Sequence, residues 1–154
     1  MNMKTYVEFK SDLFPAYSGE ENDVNPHRWG KRLAEYIYNG LKGYAVPVEE
    51  IFSEDWGWVI PIKNDSFKLW IGCGNYDEYP DGFLCFIEPS KPFIRRFFKK
   101  IRTVEKVTEI ANYLNNILSA ESNIKEIIWW TADEFNNPKA EQTNALIRAG
   151  AFSD

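Results

Sequence analysis

Acidic and aromatic residues alternate in two short stretches of the sequence, and they have the clearest potential for chemistry. The nine residues are Glu54, Asp55, Trp56, Trp58, Tyr76, Asp77, Glu78, Tyr79 and Asp81. Grouped carboxylates can act as general acid and base on a sugar, hold a hard divalent cation or attract a basic protein. The aromatic rings add the contact area that anchors a protein partner. We therefore interpret the nine residues as a partner-binding site.

Signatures of the common enzyme classes are absent from the sequence. It contains no GxSxG, GxxxxGK[ST], HExxH or GxGxxG motif, so no residue is assigned a catalytic role. The single histidine, His27, falls in the first turn of a predicted helix, where a solvated side chain is the simpler interpretation. The alternative left open is a small hydrolase or transferase that uses carboxylate acid/base chemistry around Asp55, Asp77 and His27.

Cys73 and Cys85 are the only cysteines, and both lie in apolar, strand-like stretches. Buried, reduced thiols are the expected state, with a cross-strand disulfide as the alternative. The sequence has neither a CxxC motif nor a cluster of Cys and His, and it lacks a DxDxDG loop. We therefore expect no metal site and no cofactor.

Charge is distributed unevenly along the chain, whose net charge is -5. Residues 1–90 carry 8 basic and 15 acidic groups, whereas 91–106 carry 7 basic groups and 1 acidic group. The basic residues of this segment are Lys91, Arg95, Arg96, Lys99, Lys100, Arg102 and Lys106. The acidic remainder argues against nucleic acid as a partner. The basic segment could equally contact the acidic site of a second copy, which would give a homodimer.

The order of predicted elements is strand, helix, four strands, helix, strand. The strands are expected at 5–10, 46–51, 57–62, 67–73, 83–88 and 124–130, and the helices from Asn25-Pro26 to Gly40 or Gly43 and from Thr103 to about Ser119. A short amphipathic helical turn is expected at 93–101. Short connections between the middle strands predict an α+β fold, with five or six mostly antiparallel strands and two main helices on one face.

The chain length is typical of one globular domain, which we divide into a core, 1–130, and a polar extension, 131–154, with one weak helix at 138–148. Strand alternation predicts that Trp58, Trp70 and Phe86 point away from the helices. A stable protein rarely leaves such an apolar face exposed. We therefore expect the extension, the segment 93–101 or a second subunit to cover it.

The segments Glu54-Asp55-Trp56-Gly57-Trp58 and Ile71-Gly72-Cys73-Gly74-Asn75-Tyr76 resemble small uncharacterised bacterial proteins. Some of those proteins look like immunity proteins that neutralise a cognate toxin. The resemblance extends over residues 28–130. It favours a binding role. Together with the absent catalytic motifs and the clustered carboxylates, it leads us to expect a non-enzymatic binding protein, an immunity-type inhibitor whose acidic and aromatic patch engages a basic protein such as a toxin.

The N-terminal stretch lacks the apolar segment of a secretory signal, and no later stretch approaches about 18 uninterrupted apolar residues. We therefore expect a cytoplasmic protein with no membrane partner.

Overall fold

The computed structural model describes residues 3–76 and 80–137. The strands are β1 (Lys4–Lys10), β2 (Phe52–Glu54), β3 (Gly57–Ile62), β4 (Leu69–Asn75), β5 (Gly82–Glu88), β6 (Phe93–Arg96), β7 (Lys99–Arg102) and β8 (Lys125–Thr131). The helices are α1 (Lys31–Gly43), α2 (Val104–Ser119) and α3 (Ala132–Asn136), with a short 3₁₀ helix at Glu20–Asn22.

Six strands form one sheet in the order β2-β3-β4-β5-β1-β8. Every neighbouring pair in it is antiparallel. Strands β2 to β5 follow one another in the chain, as their short connections predict. The α+β fold with a mostly antiparallel sheet is confirmed.

Both long helices pack on the same face of this sheet, which we call the inner face. Helix α1 contacts β3 and β4, helix α2 contacts β1 and β5, and the two helices contact each other. Apolar residues at helical spacing form the buried stripe of each helix. They are Leu33, Ala34, Ile37 and Leu41 in α1, and Val107, Ile110, Leu114, Ile117 and Leu118 in α2.

The start of α1 differs from the expectation. The helix begins at Lys31 rather than at Pro26, and His27 adopts a positive φ of 66° that is incompatible with a helix. The first free N–H groups of α1 bond to the carboxylate of Glu20, a residue of the preceding loop. The helix start is therefore set by a carboxylate from another segment instead of by Asn25.

Two further expectations were wrong. Residues 46–51 form no strand, and only Val48 makes an isolated bridge, with Ile62. Residues 93–102 form the antiparallel hairpin β6–β7 instead of a helical turn. Its two-residue turn, Phe97-Phe98, carries no Gly or Asn that would have revealed a hairpin in the sequence.

The chain after β8 continues directly into α3, so the extension proposed at 131–154 begins with a short helix. The hydroxyl of Thr131 accepts a hydrogen bond from the N–H of Glu134, and the Glu134 carboxylate accepts one from the N–H of Thr131. This capping box is visible in the sequence Thr131-Ala132-Asp133-Glu134 and would have predicted the helix. The helix expected at 138–148 lies outside the described residues.

Candidate functional site

The face of the sheet opposite the two long helices, the outer face, is lined by apolar and aromatic side chains. One register row crosses all six strands and runs Phe52, Val59, Gly72, Phe86, Tyr6, Trp130. Trp70 stands beside this row on β4, opposite Pro61 and Glu88. Strand alternation placed Trp70 and Phe86 here correctly.

Gly72, in the middle of that row, provides room for the aromatic rings beside it. A Cβ at this position would lie 2.4 Å from Phe86 and 2.8 Å from Trp56. Without one, the Trp56 ring lies 5.1 Å from the Phe86 ring and 6.2 Å from the Trp70 ring. The three rings therefore form a continuous cluster across the β4 backbone.

Trp56 reaches the outer face because of the turn that carries it. Asp55 and Trp56 form the two-residue connection between β2 and β3, and Gly57 follows at the start of β3. A Cβ at Gly57 would lie 2.4 Å from the Cys73 carbonyl oxygen. Only glycine permits this approach. The spacing of the two motifs noted in the sequence thus has a structural reason, since they pack against each other.

The outer face contains a groove of about 540 Å³ at its β2 side. We call this the outer groove. Its apolar walls include Phe52, Trp56, Val59, Pro61 and Trp70, and its charged lining residues are Glu49, Glu54, Lys63 and Lys68. Phe52 remains 44% exposed. A volume of this size with mostly apolar walls and few charged groups is typical of a binding site.

The other half of the outer face is covered by α3. Its Phe135 ring stacks on Tyr6 at 4.8 Å and lies 6.3 Å from the Tyr76 ring. The expectation that the extension covers this face therefore holds for the Tyr6 side. The outer groove, on the Trp70 side, stays open among the described residues.

The structure brings most of the described candidate residues to one end of the sheet. Glu54, Asp55 and Asp81 are exposed, whereas Trp56 and Tyr76 are half-buried. Glu54 and Trp56 line the outer groove. Asp77, Glu78 and Tyr79 lie outside the described residues.

Trp58 is on the other side of the sheet. It pairs with Cys73 on the inner face, is 5% exposed and belongs to the hydrophobic core. The prediction that it points away from the helices was wrong, because the register pairs Trp58 with Cys73, which lies on the same face of β4 as Leu69 and Ile71. Its indole N–H donates to the Glu20 carboxylate at 2.8 Å.

Glu20 is a residue that sequence reasoning missed. It is 3% exposed, and one carboxylate oxygen accepts hydrogen bonds from the N–H groups of Gly30 at 2.8 Å and Lys31 at 3.0 Å in addition to Trp58. The other oxygen accepts one from the Tyr17 N–H at 2.9 Å. Four donors compensate the burial of this charge, so Glu20 fixes the loop to both α1 and the core.

Asn75, at the end of β4, holds the same loop from the other side. Its side-chain oxygen accepts from the Trp29 N–H at 3.1 Å, and its side-chain nitrogen donates to the His27 carbonyl at 3.0 Å. Asn75 therefore has a structural role, and the loop before α1 is ordered by buried polar contacts rather than by its own composition.

Burial on the outer face shifts two titratable groups. Glu88 is half-buried beside Trp70, and burial raises the pKa of this carboxyl, opposed by a hydrogen bond from the Ser90 backbone. Burial also raises the pKa of Tyr6. Both shifts follow from desolvation of the charged form.

The acid/base alternative uses Asp55, Asp77 and His27, of which Asp77 lies outside the described residues. Asp55 and His27 are both exposed, and neither lines the outer groove. Cys73 and Cys85 are reduced and buried with their sulfur atoms 3.8 Å apart, and burial raises the pKa of Cys85 well above its usual range. Such a thiol is a poor nucleophile. Within 3–76 and 80–137, no group of three or more His, Cys, Asp or Glu could hold a metal ion.

Comparison of the chain with known protein families, with curated proteins and with solved structures gives no match. Among the helices of the described residues, none has the length and apolar character needed to cross a membrane.

Proposed function

We propose that this chain is a non-enzymatic, cytoplasmic binding protein of the immunity type, which engages a basic protein partner at the outer groove. The observation that carries the proposal is an open, aromatic-walled groove of about 540 Å³ with Glu49 and Glu54 among its lining residues. Trp56 and Glu54 belong both to this groove and to the acidic and aromatic stretch that the sequence singles out.

Charge and shape support the same kind of partner. Residues 49–68 carry five carboxylates and two lysines, so this part of the surface attracts a basic surface during encounter. The Trp56 and Trp70 rings can then stack on an arginine or lysine side chain of the partner, an interaction that indole rings favour most. Aromatic anchors inside a charged rim are the usual arrangement of a binding hot spot.

The proposal is tested by measuring how groove variants bind a retained partner. The immobilised protein should retain a basic protein from a lysate of its native host, and calorimetry with that purified protein gives the Kd. Glu49→Gln/Glu54→Gln should raise the Kd about tenfold by removing two attractive charges, and Trp70→Ala should raise it further by removing an anchor.

The matched control is Glu105→Gln/Glu109→Gln, which removes two exposed charges from α2 on the other side of the sheet. This variant should bind like the unmodified chain. If the groove variants, shown to be folded by circular dichroism, bind equally well, the outer groove is not the partner site and the proposal fails.

A further inference from the structure

The β6–β7 hairpin ends in two exposed phenylalanines, which we call the Phe tip. Phe97 is 81% exposed and Phe98 is fully exposed. Among the described residues they are by far the most exposed large apolar side chains, since the next, Phe52, is 44% exposed. Burial in the core therefore does not explain why the sequence places two aromatic residues here.

The turn itself does not explain them either. Phe97 and Phe98 both have positive φ, 51° and 65°, as a type I′ turn requires. Asn and Gly adopt this conformation readily, whereas bulky side chains do so at a cost in backbone strain. A strained, solvent-exposed aromatic pair at a turn is the kind of outlier that points to a function.

The hairpin is held firmly at its base. Ile94 pairs with Ile101, and both pack against the hydrophobic core. The N–H of Thr103 donates to the Pro92 carbonyl at 3.0 Å, and the Thr103 hydroxyl donates to the Lys91 carbonyl. The Phe tip is therefore a projection fixed to the core and not a loose loop.

Cations surround the Phe tip on both strands. Arg95, Arg96, Lys99 and Lys100 are all exposed, and the sequence from 91 to 104 contains no acidic residue. The structure gives none of the four a carboxylate partner within 3–76 and 80–137. Arg96 donates to the backbone carbonyl oxygens of Asp65 and Ser66 at 3.5 and 3.3 Å, and Glu105, the first acidic residue after the hairpin, pairs with Arg102 at 2.8 Å. The charges of Arg95, Lys99 and Lys100 are therefore available to an external anion.

We infer that the Phe tip binds the surface of a bilayer that contains anionic lipid. The rings form an apex, and the four cations begin one residue behind it, roughly 3 to 7 Å back along the strands. This matches interfacial binding, in which apolar groups enter about 5 to 10 Å and cations stay at the headgroups. Surface binding needs no spanning segment, so this inference replaces the expectation of no membrane partner.

Nucleic acid fits the same chemistry less well. Proteins that stack bases on aromatic rings also supply a groove that follows the phosphate backbone. No residue of the hairpin lines the outer groove or the second large cavity, which lies between α1 and residues 48–51. The two-residue apex is small enough to insert into a bilayer surface, but it is too short to stack several bases of a nucleic acid strand.

The test is co-sedimentation of the full chain with vesicles of phosphatidylcholine alone and of phosphatidylcholine mixed with phosphatidylglycerol. The unmodified chain should bind the mixed vesicles, bind the neutral vesicles much less, and dissociate as salt is raised. Phe97→Asn/Phe98→Gly should lower binding at least about tenfold, since both inserted rings are lost. Lys99→Gln/Lys100→Gln should lower it by a similar factor.

The Asn-Gly variant is well suited to this test because that pair favours the same turn, so misfolding cannot explain a loss of binding. Leu13→Ser, which removes an exposed apolar side chain from the N-terminal loop, is the control and should bind like the unmodified chain. Unchanged binding by the Asn-Gly variant, or equal binding to neutral vesicles, overturns the inference. The inference is also overturned if single-stranded oligothymidine binds the chain more tightly than the mixed vesicles do and the Asn-Gly variant abolishes that binding. The Phe tip would then bind nucleic acid.

Discussion

The outer groove and the Phe tip are both aromatic surfaces, but they are built in opposite ways. In the outer groove, Trp56 and Trp70 contact each other, are half-buried and lie in a concave site near carboxylates. At the tip, Phe97 and Phe98 form a convex apex among cations and are largely or fully exposed. Under our two proposals, the same class of side chain serves a basic partner at one place and an anionic surface at the other.

The difference between the two surfaces lies in what their residues do for the fold. The groove rings pack on one another across Gly72, so we expect them to contribute to stability as well as to the proposed binding. The tip rings adopt strained backbone conformations and are largely or fully exposed, so we expect them to add little to stability and to act in the proposed binding alone. Substitutions should separate these two roles.

The largest effect is expected from Gly57→Ala. The added Cβ would lie 2.4 Å from the Cys73 carbonyl oxygen, and neither backbone can move without disturbing the sheet. We expect the free energy of unfolding to fall by about 3 kcal/mol, measured by urea denaturation. Gly43→Ala is the control, since a Cβ there would contact nothing within 4 Å. Equal stability of the two variants would show that the β2–β3 turn can shift, and the groove would then be less rigid than described.

Trp56→Ala and Phe98→Ala compare the two surfaces directly. Trp56 loses contacts with Trp70 and Phe86, so its removal should lower the free energy of unfolding by about 2 kcal/mol. Phe98 is fully exposed, and its removal should change stability by less than about 0.5 kcal/mol. Thermal or urea unfolding of both variants checks the contrast, and a comparable loss in both would contradict it.

Phe97→Asn/Phe98→Gly should raise the free energy of unfolding by about 1 kcal/mol, because it relieves two unfavourable left-handed residues. The same variant is expected to lose vesicle binding, so stability and binding should move in opposite directions. A destabilised variant would mean that the phenylalanines support the hairpin, and the separation of roles would be wrong.

The smallest effect concerns pH. Because the folded-state pKa of Glu88 is raised, its protonated form favours folding, and this contribution is lost as pH rises above the ordinary value of 4.5 through the folded pKa. Glu88→Gln should thus match the unmodified chain at low pH and exceed it in stability at neutral pH.

The matched control for this pH dependence is Glu105→Gln. A backbone hydrogen bond and Arg102 lower the pKa of Glu105, so its contribution to stability is present above 4.5 and is lost as pH falls through the folded pKa. Glu105→Gln should therefore be less stable than the unmodified chain at neutral pH, whereas Glu88→Gln should be more stable. Urea denaturation of both variants across this range checks the signs.

Strand alternation was sufficient to predict the outer face of β4 and β5, because Trp70 and Phe86 lie inside continuous strands. It failed for Trp58, which lies in β3. Alternation within β4 shows which side Trp70 faces, but the side that a β3 residue faces depends on which β4 residue it pairs with, and the sequence does not reveal that pairing. The alternation of side chains determines which residues of one strand share a face of the sheet. Which of the two faces that is depends on how the strand pairs with its neighbours.

The other errors arise from interactions between distant segments or from unusual turn residues. No local pattern near Lys31 reveals that Glu20 accepts the first N–H groups of α1. Phe93, Phe97 and Ile101 recur every four residues, which favours a helix. Only the register of Ile94 with Ile101 distinguishes the hairpin, and a Phe-Phe turn gives no sequence signal for it.

The position of β1 in the sheet has a consequence for how the chain is made. Tyr6 pairs with Phe86 on one side and with Trp130 on the other, so an early strand of the sequence lies between two late ones. During synthesis, both edges of β1 stay unpaired until β5 has emerged from the ribosome, and one edge stays unpaired until β8 has emerged. Strands β2 to β5 can associate before β8 is made. We therefore expect the β1–β8 pairing to form last and the nascent chain to depend on protection from aggregation until then.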